Sequence, residues 1–146
     1  MNKLILSAML SMLFTIASLA QAADVQVSFP IQNALDNPKI SSKLNGVKLF
    51  WADQPHPAVK TDFGEFKTSQ RTNAFMKARE DACQWALASA LIQLQDRAVK
   101  EGGNAVVNIK SNIKNIEVAS REDYECLAGS VMVNVALKGN VVRLAE

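Results

Sequence analysis

The chain is short of the residues that most enzyme chemistry uses. It has one histidine and two cysteines, so a single chain cannot furnish the four Cys or His ligands of a structural zinc site. A Ser-His-Asp or Cys-His nucleophile would have to use His56 itself. No Gly-x-x-x-x-Gly-Lys-Ser/Thr run occurs, which excludes the loop that cradles nucleotide phosphates in phosphate-loop ATPases. Charge of one sign is lacking too. Sixteen Lys and Arg stand against fourteen Asp and Glu, a net of +2 without a like-charge block. A protein that grips the phosphate backbone needs a clustered basic face, so a nucleic-acid partner is not expected. With 49% hydrophobic, 21% charged and 6% aromatic residues, the chain is neither a disordered tail nor a collagen or coiled-coil repeat.

What is present begins with an address. Lys3 supplies a positive start, Leu4 to Leu19 is an almost unbroken apolar run without charge, and Ala20-Gln21-Ala22 is a small-x-small cleavage signature. This is the pattern of a secretory signal peptide over residues 1–22. A membrane anchor is the competing reading, but the run is about 16 residues where a spanning helix needs about 20. No cysteine lies near the cleavage point to carry a lipid. The mature chain would start at Ala23 and form a single domain over residues 23–146, periplasmic or secreted. Cleavage would leave no membrane span.

Cys83 and Cys126 both lie in the exported part. An even count in an oxidising compartment favours one structural disulfide, closing a loop with 42 intervening residues. A redox pair or thiolate metal site is the alternative, without a Cys-x-x-Cys to support it.

Hydrophobic periodicity gives the elements. Val25, Val27 and Phe29 alternate with polar residues and stop at Pro30: a short strand, with the proline suited to the first turn of a helix. Ile31–Leu35 and Ile40–Leu44 carry helical spacing broken at Asn37-Pro38, with Gly46 as a C-cap candidate. Val47–Trp51 reads as a strand, Asp53–Pro57 as a loop, Gly64–Lys67 as a short edge strand and Ser69–Asn73 as a polar turn. The strongest signal is a helix over 77–101. Cys83, Leu87, Ala90, Leu91, Leu94 and Ala98 form one apolar stripe, which Trp85 and Ile92 widen. Gln84, Gln93, Asp96, Arg97 and Lys100 make the wet side, and Gly102-Gly103 stops the helix.

Ala105–Lys114 then reads as a one-sided strand, with Val107, Ile109 and Ile113 facing inward and Asn108, Lys110, Asn112 and Lys114 outward. The parity break at Ile116 suggests a bulge. Ser120–Tyr124 is a charged connection. Val131, Val133, Val135 and Leu137 alternate again, Gly139-Asn140 reads as a tight turn or a bulge, and Val141–Leu144 is strand. One-sided strands need a cover, and the long helix must supply it. The expected fold class is α+β: a two-layer sandwich, one long helix packed on a mainly antiparallel sheet.

Cys83-Gln84-Trp85-Ala86 and Gly102-Gly103-Asn104-Ala105-Val106-Val107-Asn108-Ile109-Lys110 resemble a family of small exported bacterial proteins of unknown function. Gly46–Trp51, Phe63–Phe66, Thr72–Phe75, Tyr124–Cys126 and Ala136–Gly139 fit it as well, so the resemblance covers nearly all of the mature chain. Members are often labelled "excinuclease ATPase subunit". The chemistry here speaks against that label. Gly102-Gly103 follows a helix and precedes a strand, the wrong topology for holding a phosphate on a helix N-terminus, and two cysteines cannot build several zinc modules. The long helix leading into Gly-Gly-Asn-Ala-Val-Val is more distantly similar to the outer-membrane stress-sensing lipoprotein of the Rcs phosphorelay and to YbjQ-like heavy-metal-binding proteins. The lipid-bearing cysteine and second disulfide of the former are absent. These likenesses support the fold, not a function.

Among candidate sites, Asp53 and His56 share the Asp53-Gln54-Pro55-His56-Pro57 loop, an incomplete metal site whose simpler reading is a proline-stiffened surface loop. Asn108, Lys110, Asn112 and Lys114 form a polar ladder that suits a partner or an anionic ligand, or simply solvent. The carboxylates lack the apolar surround that would fit them for acid-base work. The expectation is an exported, non-catalytic envelope binding or stress-related accessory protein. It needs no cofactor, its partner is an envelope protein or a small ligand, and its composition is compatible with a homo-oligomer. The first alternative is an oligomeric metal-handling module, and the second a small hydrolase built on the His56 loop.

Overall fold

The computed structural model describes residues 23–146; the expected signal segment lies outside the described residues. The elements run β1 (Val25–Pro30), α1 (Ile31–Asp36), α2 (Pro38–Ser41), β2 (Lys48–Trp51), β3 (Val59–Asn73), α3 (Arg79–Glu101), β4 (Ala105–Ile113), β5 (Ile116–Val118), β6 (Asp123–Ala128) and β7 (Met132–Leu144). Strand β7 is the spine of a seven-stranded sheet. One of its edges pairs with β3 from Val59↔Leu144 to Asn73↔Met132. The other carries β4 beside its second half and β6 beside its first. Beyond these lie β1 on β6, and β2 and β5 on β4, every pairing antiparallel except β2 with β4. The chain is α+β: α3 covers one face of this sheet.

The apolar stripe of α3 makes that cover. Cys83, Leu87, Ala90, Leu91, Leu94 and Ala98 are all buried in one cluster with Val106, Ile109, Tyr124, Cys126, Val133, Val135, Leu137 and Val141. Gly102 ends the helix in the left-handed region (φ +85), where its N–H and that of Gly103 reach the carbonyls of Val99 and Ala98, a geometry that disfavours a side chain. The buried arc is displaced from the expected one. Gln84 is buried, whereas Trp85 is 37% exposed, because α1 and α2 pack on that side. Asn37 donates to Gln84 Oε1 (2.8 Å). Buried Gln95 donates to the Asn45 and Val47 carbonyls and accepts from the Asn45 N–H. Both glutamines replace water with backbone or amide partners, which is what makes their burial tolerable.

Five local expectations are corrected. Ser69–Asn73 is not a turn but the second half of β3, with Phe66, Thr68, Gln70 and Thr72 half-buried on the helix side and Lys67, Ser69, Arg71 and Asn73 exposed. An edge strand with one wet face needs period 2, not apolar residues. In β4 the phase flips at Asn108, which has φ +53. Val107 therefore leaves the face shared by Val106 and Ile109 and joins Ala105, Val142, Leu144 and Phe50 in a second cluster. Ile116 is not in a bulge: Lys114 and Asn115, at φ +54 and +62, form a two-residue hairpin turn between Ile113 and its partner Ile116. Gly139-Asn140 is neither turn nor bulge, since β7 runs straight through. The bulge lies opposite, where the register slips between Val107 and Lys110. A Cβ on Gly139 would come within 2.8 Å of Val106 Cγ1 and 3.2 Å of Ile109 Cγ1. Gly46 also does not cap a helix, since α2 is a single turn closed by Ser42.

Candidate functional site

The two cysteines meet. Cys83, in the second turn of α3, is bonded to Cys126 at the centre of β6, with 6.0 Å between their Cα atoms. Both are fully buried. The bond staples helix to sheet under the core, out of reach of exchange partners.

The Asp53–Pro57 loop separates its two candidates. Arg121 Nε donates to Asp53 Oδ1 at 2.7 Å, and its Nη2 donates to the Asp53 carbonyl at 3.0 Å. The hydrogen bond from Arg121 holds the Asp53 carboxyl below its ordinary range, and in turn raises the guanidinium. His56 instead packs its ring edge-on to Phe50, centroids 5.6 Å apart, with Nδ1 2.8 Å from the Pro57 carbonyl. Among the described residues no group of three or more His, Cys, Asp or Glu comes together to hold a metal.

The outer face of the sheet, away from α3, collects most of the polar ladder and adds to it. Lys110 reaches Glu117 of β5 at 3.0 Å. Lys138 of β7, with its side chain 10% exposed, also pairs with Glu117 and lies 3.5 Å from Glu65 of β3. Two ammonium groups thus share one carboxylate. Asn112 is nearly buried, Lys114 projects from the hairpin turn, and Asn108 sits apart in the β4 bulge, beside Ala52 and Asp53. The sequence ladder is therefore broken in two by the backbone flip at Asn108. Beside its lower half runs an open groove of about 360 Å³ lined by Lys67, Ser69, Asn112, Lys114, Asn134 and Ala136, together with Thr68 and Asn115. No carboxylate lines it. Among the described residues neither Lys67 nor Lys114 makes a salt bridge.

Comparison with family models, curated proteins and solved structures finds no match for this chain. The groove is thus read from its own chemistry.

Sequence reasoning missed Lys67, Asn134, Lys138 and Glu117. Lys138 and Asn134 were legible as the outward-facing alternates of β7, but Lys67 was read as the end of a short edge strand, and the turn expected at 69–73 hid its continuation through Ser69 along the same sheet face. Placing Glu117 needed the Lys114-Asn115 hairpin, which folds β5 back on β4. Its two positive-φ residues carry no glycine to announce them.

Proposed function

We propose that the protein is an exported, non-catalytic binding domain of the bacterial envelope, whose outer sheet face takes an anionic group of its ligand or partner. The observation that carries this reading is the pair of lysines, 67 and 114, that flank a carboxylate-free groove without acidic partners. Lys110 and Lys138 lie next to it and share Glu117, so the local surplus of charge is positive. Asn134 Nδ2 donates to Ser69 Oγ at 2.8 Å and to the Gln70 carbonyl at 3.0 Å, which leaves the Ser69 hydroxyl hydrogen, with the Asn112 amide, as donors on the same wall. Such a mixture orients a carboxylate or phosphate by charge-assisted hydrogen bonds. The buried Cys83–Cys126 bond supports an oxidising location.

The test is a nitrogen-15 amide titration of the oxidised protein with inorganic phosphate and, separately, with a poly-glutamate peptide. Shifts confined to β3, the β4–β5 hairpin and the middle of β7 are expected, and should vanish in a Lys67→Ala/Lys114→Ala double variant. An unchanged spectrum at millimolar concentrations of both probes would remove the anion site.

A further inference from the structure

Strand β3 pairs with β7 along one edge, and among the described residues no strand pairs with its other edge. The phase of the ladder fixes which groups that outer edge presents. The Ala74 N–H donates to the Val131 carbonyl at 2.7 Å, in the same register as Asn73↔Met132. In an antiparallel pair, hydrogen-bonded positions alternate with non-hydrogen-bonded ones. Thr72, Gln70, Thr68 and Phe66 therefore direct their N–H and C=O groups to β7. Those of Arg71, Ser69, Lys67 and Glu65 point away from the sheet, and among the described residues no turn or loop bond takes them up. Nor does α3 fill the space beside them. An open groove of about 350 Å³ is lined by residues 66–70 together with Gln93, Leu94 and Arg97 of α3.

A regular free edge is a template for another strand, and proteins commonly guard it with a bulge and with charges. Both are present in β3. The bulge lies at one end, where the register slips between Asp62 and Gly64 and Gly64 takes φ +105. The charges are Glu65, Lys67 and Arg71, exposed on the face opposite α3. Their order decides the partner. A two-fold axis through the sheet at Thr68 sets Glu65 opposite Arg71 of a second copy, at both ends, and Lys67 opposite Ser69. On the helix side Thr68 meets its own copy and Phe66 meets Gln70. Opposite charges and paired threonines directly across a ladder are favourable. Other axes lose this match. At Ser69, Lys67 would face Arg71. At Lys67 or Arg71, that residue would face itself. At Gln70 no opposite charges meet, and at Phe66 the pairing would run through the Gly64 bulge. Among the described residues Arg71 makes no salt bridge, and Glu65 makes one, to Lys138 at 3.5 Å through Oε1. Its second oxygen is left for the guanidinium.

We infer that β3 is a dimerisation edge: two copies pair antiparallel about Thr68, from Glu65 to Arg71, and join their sheets into one. The occupant of the edge is a second copy of this chain. The interface is isologous, each copy giving and receiving the same contacts, and it leaves α3 of both copies on one face of the joined sheet. The charges that guard the edge against other strands thus specify this one. The pairing uses the backbone groups of Lys67 and Ser69 and does not rest on the anion-binding reading.

The experiment is analytical ultracentrifugation of the oxidised protein from micromolar to millimolar concentration, with amide hydrogen exchange read residue by residue. A reversible dimer is expected, with the amides of Lys67, Ser69 and Arg71 slowing as it forms. Arg71→Glu should weaken the dimer at least about tenfold, because it sets Glu against Glu at both ends. The melting temperature of the dilute monomer should not change, since Arg71 is exposed. Glu65→Arg/Arg71→Glu should restore the dimer, because it reverses each pair without removing it. A protein that stays monomeric at millimolar concentration overturns the inference. So does a dimer indifferent to Arg71→Glu, a double variant no tighter than the single one, or a dimer whose slowed amides lie elsewhere. Slowing of the three amides by a poly-glutamate peptide in a protein that stays monomeric would overturn it by giving the edge to an acidic strand.

Discussion

Tyr124 shows how a single residue sets a condition on the fold. It is fully buried beside Phe29, ring centroids 6.3 Å apart, and among the described residues no group hydrogen-bonds its hydroxyl. Burial, and then the nearby Glu80 charge, push its ionisation well above the ordinary tyrosine range. A raised pKa means that the folded state holds the proton more tightly than the unfolded one. The stability linked to that proton is present in full below pH ~10 and is lost as pH rises toward the folded value. Tyr124→Phe should therefore not destabilise the protein at neutral pH. It should raise stability by up to ~1–3 kcal/mol, the cost of an unsatisfied buried hydroxyl, and move alkaline unfolding to higher pH, measured by denaturant melts between pH 7 and 11. A large loss at pH 7 would mean that the hydroxyl has a partner. Residue-scale pairings of this kind were the least legible in the sequence. Arg121 with Asp53, or Lys138 with Glu117, join residues that only the tertiary fold brings together. The charged connection at 120–124 was visible, but its target was not.

At the scale of elements, periodicity carried most of the reading and failed where backbone geometry overrode it. The stripe of α3 was legible because six positions recur at helical spacing over a 23-residue helix. Its centre gives a direct test. Leu91 is fully buried and Gln93 is exposed. Leu91→Ala should cost ~2–5 kcal/mol and Gln93→Ala less than ~0.5 in chemical denaturation; equal costs would place the stripe in the wrong phase. The flank of that stripe was misjudged because Gln84 and Gln95 are polar by type, and nothing local announces that α1, α2 and the segment after them will satisfy their amides. In the sheet, β3 was half lost for a related reason: an edge strand in contact with one helix needs few apolar residues. The β4 bulge left its trace on the partner strand, as Gly139. Gly139→Ala should destabilise by ~1–3 kcal/mol through overpacking against Val106 and Ile109, seen as a lower denaturation midpoint. A neutral result would show that the bulge can relax. The lysine groove was legible in part, as the outward residues of β4, and became a site only once β3 and the β5 hairpin were set beside it.

At the scale of the whole molecule, the disulfide joins the layers that the hydrophobic pattern made separately. The buried cluster beneath α3 draws on the helix and on four of the strands, β2, β4, β6 and β7, yet α3 is tied into the sheet covalently at one point, Cys83 to Cys126. The half-cystines are 43 positions apart in sequence, so the link forbids a large set of open conformations to the unfolded chain. On the chain-entropy account, reduction should then lower stability by about 4 kcal/mol. That loss is a large fraction of the ~5–15 kcal/mol that holds a domain of this size together. It should appear as a marked fall in melting temperature when the protein is reduced under denaturing conditions, blocked with iodoacetamide and refolded. Since both sulfurs are buried, reductant added to the native protein should act slowly, at the rate of opening rather than of thiol exchange. Free-thiol titration of exported, denatured and unreduced protein should find no thiols, whereas two would break the bond and favour a thiolate metal site. The lysine groove lies on the face opposite α3, so reduced and blocked protein that still folds should keep its phosphate-induced amide shifts. Loss of those shifts with the fold intact would make the bond part of the binding site instead of its scaffold.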